Sequence, residues 1–419
     1  MRSILLLLIG LSAAAGQSYC NACWEDLGMD STACRCITWD DNGSRILVGT
    51  AVGFHYYDLS SSQWTNMDET GMMGRGVSSI DAGSTVPEII ITGRSNAFFK
   101  GYIDVSFNLG LTWDYMYMSN GGAFWALQED ISTPGKFYCG GISDITPGEL
   151  MVTEDNGQTW TAITKPQEAI SDITQAPDGT LYTCGVPYVY KTEDGGITWT
   201  AASGGLNPST VFFSIAADGS DPDNLVCSDE QGMYRTTDGG AGWTQVSAES
   251  CRNIEYDPED PSRLAAVADA GIVLGSTDGG QTWFDISGDL PGLPRDVAFC
   301  GEDHNLYCTT LYHGTYRTPG GFTGVTEGYS ETSMVPVLSI SPNPCAGTAL
   351  ASYSIPSAGN LRLDILDISG RLIMTAENEY MSCGLHNSVV RLPVTLSGIL
   401  FVRLTTDSGI ASAKLILCR

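Results

Sequence analysis

Histidine is nearly absent from the 419 residues. There are four (His55, His304, His313 and His386), and no two are spaced as metal ligands. Basic residues are also scarce: 20 Lys and Arg stand against 48 Asp and Glu, a formal net charge of -28. A phosphate backbone needs a basic footprint, so nucleic acid and an anionic membrane surface are excluded as main partners. Neither a serine-nucleophile elbow nor a phosphate-cradling glycine loop occurs in the right context. After the first 16 residues no apolar run is long enough to span a bilayer. The sequence therefore leads us to expect no catalytic residue, no metal site and no cofactor.

The N-terminus is different. "MRSILLLLIGLSAAAGQS" has a basic residue at Arg2, an apolar run from Ile4 to Leu11, and small residues at Ala13 to Ala15. Residues 1–16 read as a secretory signal peptide, so the mature chain is expected outside the cytoplasm, secreted or at the outer cell surface. All 13 cysteines follow it. Cys20, Cys23, Cys34 and Cys36 crowd the mature N-terminus and read first as disulfides, with a metal site as the rival.

Glycine is abundant, at 49 residues, and much of it recurs in phase. "STDGGQTW" (276–283) has relatives in "SFNLGLTW" (106–113), "TEDNGQTW" (153–160), "TEDGGITW" (192–199) and "TTDGGAGW" (236–243). Their tryptophans are spaced by 47, 39, 44 and 40 residues. A period near forty with strand-like flanks predicts propeller blades. One repeat reads as strands at 252–258, 263–269, 271–276 and 282–287. Weaker copies end on Trp64 and at Pro319-Gly320-Gly321, which makes seven units. "CWEDLG" (23–28) matches "TWFDIS" (282–287), and we expect it to supply the missing fourth strand of the last unit. Cys139, Cys184, Cys227 and Cys308 share one slot in the second strand and read as small buried residues.

Within each box, glycines permit positive φ, and the Asp and Ser/Thr side chains can cap backbone N–H groups. The Trp is expected to plug the space between sheets. The pattern Ser/Thr-x-Asp-x-Gly-x-Thr-Trp resembles the Asp-box, or bacterial neuraminidase, repeat. The likeness spans residues 20–325 and implies an all-β fold: a seven-bladed β-propeller similar to those of sialidases, sortilin-like receptors, xyloglucanase-type glycosidases and photosystem II assembly factor-like proteins. It also implies that Asp155, Trp160, Asp194, Trp199, Asp238, Trp243, Asp278 and Trp283 are structural rather than catalytic.

The composition changes near residue 328. Residues 337–419 hold five acids and six bases, so the negative charge lies in the preceding part. Alternating strands there predict a small C-terminal β-sandwich. Pro342-Asn343-Pro344, the turn through Asp367, Gly370 and Arg371, then Gly398, Gly409 and Lys414 resemble the C-terminal sorting domain of the type IX secretion system. That resemblance implies the type IX machinery as a partner. The expected divisions are 1–16 signal peptide, 17–325 propeller, 326–336 linker and 337–419 sorting domain.

Propellers bind at the channel mouth, where the innermost strands begin. Arg35, Arg75, Arg252 and Arg295 stand at four such starts, with Ala123, Ser171 and Val211 at the others. Four guanidiniums in a very acidic chain suit an anionic glycan or protein carboxylates. The alternative is solvated arginines paired with Asp68, Glu249 or Asp296. Three functions follow: a non-catalytic binding or cell-surface propeller, a secreted glycoside hydrolase (sialidase-like or glucanase-like), or an assembly-factor or receptor-like protein-binding propeller.

Overall fold

Cys251–Tyr256 alternates buried and more open positions, as a strand wedged between two neighbours requires. It is followed by Leu264–Ala268, Val273–Ser276 and Phe284–Asp285, each antiparallel to the strand before it. This four-stranded sheet lies within two residues of the boundaries read from the sequence. In the computed structural model every element among the described residues is a strand. The structure describes residues 24–29, 31–40, 44–67, 76–84, 86, 88–95, 100–119, 122–142, 149–166, 168–288, 290–318, 322, 337–341, 345, 347–355, 359–368, 370–381, 384–393, 396, 398–406 and 409–417. The signal peptide, Cys20, Cys23 and the linker lie outside them.

Seven four-stranded sheets occupy residues 25–317. We number them by their innermost strands: Cys34–Asp40 (sheet one), Gly76–Ala82 (two), Ala123–Glu129 (three), Ala169–Gln175 (four), Phe212–Ala217 (five), Cys251–Tyr256 (six) and Leu293–Phe299 (seven). Each innermost strand touches the next, and that of sheet seven touches that of sheet one, so the ring closes. Sheet seven takes its outermost strand from the N-terminus. Glu25–Gly28 pairs antiparallel with Gly314–Arg317. Trp24 anchors this strand by donating its indole N–H to the Ile286 carbonyl at 2.9 Å.

Among the described residues no named strand of one sheet pairs with a strand of another, and an isolated bridge from Ala33 to Leu311 ties sheet one to sheet seven, so the ring coheres mainly by side-chain burial. Seven apolar clusters fill the seven spaces between sheets. Between sheets three and four, Ala126, Tyr138 and Leu150 meet Ile170, Ile173 and Leu181. Between seven and one, Ala298, Cys300 and Tyr307 meet Cys34, Ile37, Ile46 and Val48. Each fully buried Leu, Ile or Val contributes roughly 1.5–3 kcal/mol, against about 0.5–1.5 kcal/mol net for one hydrogen bond.

The boxes close the hairpins at the far end of each sheet from the mouth. In 276–283 the Ser276 hydroxyl donates to Asp278 Oδ1 at 2.9 Å and accepts the Gly280 N–H at 2.9 Å. Asp278 Oδ1 accepts the Thr282 N–H at 2.9 Å, and Oδ2 accepts the Thr282 hydroxyl at 2.6 Å. The boxes at Asp155 and Asp194 repeat this set, and that at Asp238 repeats it except where Gly242 replaces the threonine. Gly280 has φ +81°, and a Cβ there would lie 2.9 Å from Val226 of the preceding sheet, so the turn requires glycine twice over. Trp160, Trp199, Trp243 and Trp283 pack against the clusters between their own sheet and the one before.

Cys34 and Cys36 correct one expectation. They are free, buried thiols on opposite faces of sheet one, Cys34 packed toward sheet seven and Cys36 toward sheet two. The chain bulges at Arg35 between them, so they cannot join each other. Cys139, Cys184, Cys227 and Cys308 are fully buried.

Residues 337–417 form two further sheets. One contains Val337–Ser341, Thr348–Ile355 and Gly384–Arg391; the other contains Gly359–Leu366, Leu372–Met381, Gly398–Thr406 and Gly409–Leu417. Ala351, Tyr353 and Val390 of the first share a core with Leu363, Ile365, Val402 and Leu404 of the second. Gly370 turns the hairpin at φ +81°, where the Arg371 N–H reaches the Asp367 carboxylate at 3.0 Å. Lys414 is exposed on the last strand, opposite Phe401. Pro342, Asn343 and Pro344 lie outside the described residues.

Candidate ligand site at the channel mouth

All seven innermost strands carry one residue too many for their partner. The register breaks between Cys34 and Cys36, Val77 and Ser79, Phe124 and Ala126, Ile170 and Asp172, Phe212 and Ser214, Cys251 and Asn253, and Pro294 and Asp296. A bulge re-aims the extra side chain away from the sheet. The seven extra residues are Arg35, Ser78, Trp125, Ser171, Phe213, Arg252 and Arg295, and all line one cavity of about 580 Å³.

Arg35, Arg252 and Arg295 are thus brought together, from sheets one, six and seven. Arg75 lies outside the described residues, and the mouth position of sheet two belongs to Ser78. Sheets three and five present Trp125 and Phe213 rather than Ala123 and Val211; Ser171 is placed as expected. The strand start is a poor guide because the bulge falls one or two residues further in, and not by the same step in every sheet. A better signal was in the sequence. The mouth residue stands two positions before an apolar one: Ile37, Ile80, Leu127, Ile173, Ile215, Ile254 and Val297.

Arg252 stacks on Phe213 and donates to Asp269 at 2.6 Å; Asp269 also accepts the Ser250 hydroxyl. The Arg35 guanidinium lies against Gly76, where a Cβ would collide with it. Among the described residues neither Arg35 nor Arg295 has an ion-pair partner, and both are exposed. The opposite wall carries Trp125, which is 50 % exposed.

Below the rim the polarity reverses, one residue in at Asp172 and Asp296 and three residues in at Asp81. Asp172 accepts the Ser214 hydroxyl at 2.8 Å and the Ile215 N–H at 3.0 Å. Asp296 accepts the Ile37 N–H at 2.9 Å, and Asp81 the Glu129 N–H at 2.9 Å. Each bond crosses from one sheet to the next, so these carboxylates staple the ring at its axis. Each residue keeps some exposure, but protein surrounds the carboxylate itself. That burial raises Asp172 to about 6 and Asp81 and Asp296 to about 7. Glu255 is pushed well up by burial and by the charges of Asp296, Asp172 and Asp81. Of these acids only Asp296 is singled out in the sequence, as an arginine partner, and among the described residues it makes no ion pair with one; Asp81, Asp172 and Glu255 resemble ordinary polar strand positions.

The box carboxylates shift the other way and do not line the mouth. Hydrogen bonds from Thr198 and Thr192 hold Asp194 down at about 2. Among the described residues no group of three or more His, Cys, Asp or Glu could hold a metal ion, and no helix is long and apolar enough to cross a membrane.

No protein-family model and no curated protein sequence matches the chain. Solved structures do. YCF48 from Cyanidioschyzon merolae aligns with a TM-score of 0.54 at 12 % identity, over 71 % of this chain and 99 % of that one. The chain folds as a β-propeller. PorZ, described as an essential surface component of the type IX secretion system of Porphyromonas gingivalis, aligns at 0.54 and 13 % identity over 91 % of this chain and 59 % of its own. A GH74 xyloglucanase from Xanthomonas campestris aligns at 0.55 and 12 % identity over 93 % and 74 %. At such identities the propeller's likeness to these proteins is one of fold alone.

Proposed function

We propose that this protein is an exported, non-catalytic propeller of seven blades that binds carboxylate-bearing ligands, on an anionic glycan or a protein, at its channel mouth. One observation carries the reading: three guanidiniums converge on a single cavity in a chain of net charge -28. Planar guanidiniums bind carboxylates bidentately, and each charge-assisted hydrogen bond is worth about 1.5–3 kcal/mol. Residues 17–325 form the binding unit on this reading. Residues 337–419, with Gly370, Arg371 and Lys414, form a type IX sorting domain that engages the secretion machinery, joined by a linker at 326–336. The similarity of fold to PorZ supports a place at the cell surface.

The xyloglucanase neighbour suggests glycoside hydrolysis instead. Against it, Asp172 and Asp296 are both occupied with backbone N–H groups of the next sheet. A structure described as YCF48 bound to D1 peptide supports the protein-carboxylate form of the binding reading. The test is a screen of anionic glycans and carboxylate-terminated peptides, with the Arg35→Ala/Arg252→Ala/Arg295→Ala variant as control. We expect binding by the wild type and loss in the variant. Equal binding by both overturns the reading, and turnover of a fluorogenic sialoside or glucan by the wild type replaces it with the hydrolase.

A further inference from the structure

The mouth cavity is charged in two layers. Arg35, Arg252 and Arg295 form the rim, and Asp172 and Asp296 line the same cavity one residue further in. Glu255 lies three residues beyond Arg252 on the same strand, about 10 Å deeper at the usual strand rise. It stands on the innermost strand of sheet six, two residues beyond Asn253, whose side chain hydrogen-bonds to it.

This order restricts what fits. A ligand with a second negative group further in would meet three carboxylates where water is scarce. A simple cation would have to pass three guanidiniums. A ligand with an anionic head and a cationic end satisfies both layers.

Two unpartnered polar groups point to the same conclusion. Ser78 is 8 % exposed, lines the cavity, and its hydroxyl has no hydrogen-bond partner. Asn253 also lines it; its amide donates to Glu255, and its Oδ1 accepts nothing. Buried polar groups are nearly always paired, so each marks an unmet hydrogen bond in the wall of the cavity. Asn253 Oδ1 asks for an N–H donor deep in the cavity, beside the acids. At the rim, Trp125 and Leu293 are 50 % and 55 % exposed. They offer an apolar surface to whatever is attached above the head group.

We propose that the mouth binds the C-terminal lysine or arginine of a polypeptide, its carboxylate between the rim arginines and its basic side chain directed down the axis toward Asn253, Asp296 and Glu255. This rests on the carboxylate-binding reading above. The preceding residues of the partner lie on Trp125 and Leu293.

Fluorescence anisotropy on the full chain at low salt tests it with one labelled peptide in three forms: ending in lysine acid, lysine amide and leucine acid. The lysine acid should bind at least tenfold more tightly than either of the others. Glu255→Gln should erase the preference for lysine over leucine. Asp296→Asn should do the same, and thermal melts of both variants confirm folding. Equal binding of lysine acid and leucine acid, with the amide lost, overturns the dipolar inference and leaves carboxylate binding intact. Equal binding of acid and amide overturns both, and no binding by any form overturns the polypeptide inference and leaves the glycan form of the reading to its own screen. Free lysine competing as well as the peptide overturns the polypeptide part and assigns a small basic amino acid.

Discussion

The guanidinium carbon of Arg252 lies 3.8 Å from the ring centroid of Phe213. The two residues are the bulged positions of adjacent sheets, so one rim residue forms the platform for the next. Asp269 holds the guanidinium from a second side. The planar group is therefore presented in a fixed orientation, and ligand binding need not order a free side chain. Arg252→Lys, which keeps the charge and loses the fork and the stack, should weaken carboxylate binding about tenfold. Phe213→Leu should weaken it less, about threefold, since an exposed cation–π contact is worth about 0.5–1 kcal/mol. Calorimetric titration with a carboxylate-terminated peptide measures both. A larger effect from Phe213→Leu than from Arg252→Lys would contradict the platform role.

The boxes predict the opposite pattern. Asp278→Ala removes the acceptor of two hydroxyls and two backbone N–H groups. Stability should fall by about 1–2 kcal/mol, read as a lower urea midpoint, with mouth affinity unchanged. Loss of binding in a folded Asp278→Ala protein would give the boxes a functional role they are not assigned here.

Two sets of carboxylates act against each other as pH changes. Asp172, Asp81 and Asp296 stand at about 6 to 7, above the roughly 3.9 of an unfolded aspartate. Between pH 4 and 7 the folded state therefore binds more protons. The stability these groups contribute is full below about pH 4 and is lost as pH rises through 6 to 7. Asp194, at about 2, and the lowered Asp155, Asp238 and Asp278 do the reverse: their contribution is present above about pH 4 and is lost as pH falls toward 2. Melting temperature should peak near pH 4 and decline to about pH 7, and Asp296→Asn should flatten that decline. A melting temperature that climbs steadily from pH 5 to 8 would contradict this assignment.

Burial drives the thiols of Cys139, Cys184, Cys227 and Cys308 well above their ordinary range. Iodoacetamide labelling mapped by mass spectrometry should leave these four unmodified in the folded protein at pH 8 and modify them in denaturant. Labelling of any one at the same rate in both conditions would show that its sheet interface is open.

Features that close within a few residues could be read from the sequence. The box bonds run between positions two to four apart, so the eight-residue pattern carries its own geometry and fixes the blade period. The closing strand could be read because Trp24 and Asp26 repeat the spacing of Trp283 and Asp285. The mouth was only half legible. Which residue bulges is decided by pairing with the second strand, so Ser78, Trp125 and Phe213 were missed while Arg35, Arg252 and Arg295 were found. The same bulge puts Cys34 and Cys36 on opposite faces, where the crowding of four cysteines at the mature N-terminus suggests disulfides without saying which pair. The axial acids were hidden because burial at the axis depends on all seven sheets together.

The pairing of Glu25–Gly28 with Gly314–Arg317 also sets an order of events. Arg317 and Glu25 are joined by a 2.8 Å hydrogen bond across 292 positions of chain. The strand Glu25–Gly28 has no lasting place until nearly three hundred further residues have been made. Every unfinished form of this domain therefore lacks the outer strand of sheet seven and leaves Gly314–Arg317 or its neighbours as an open sheet edge.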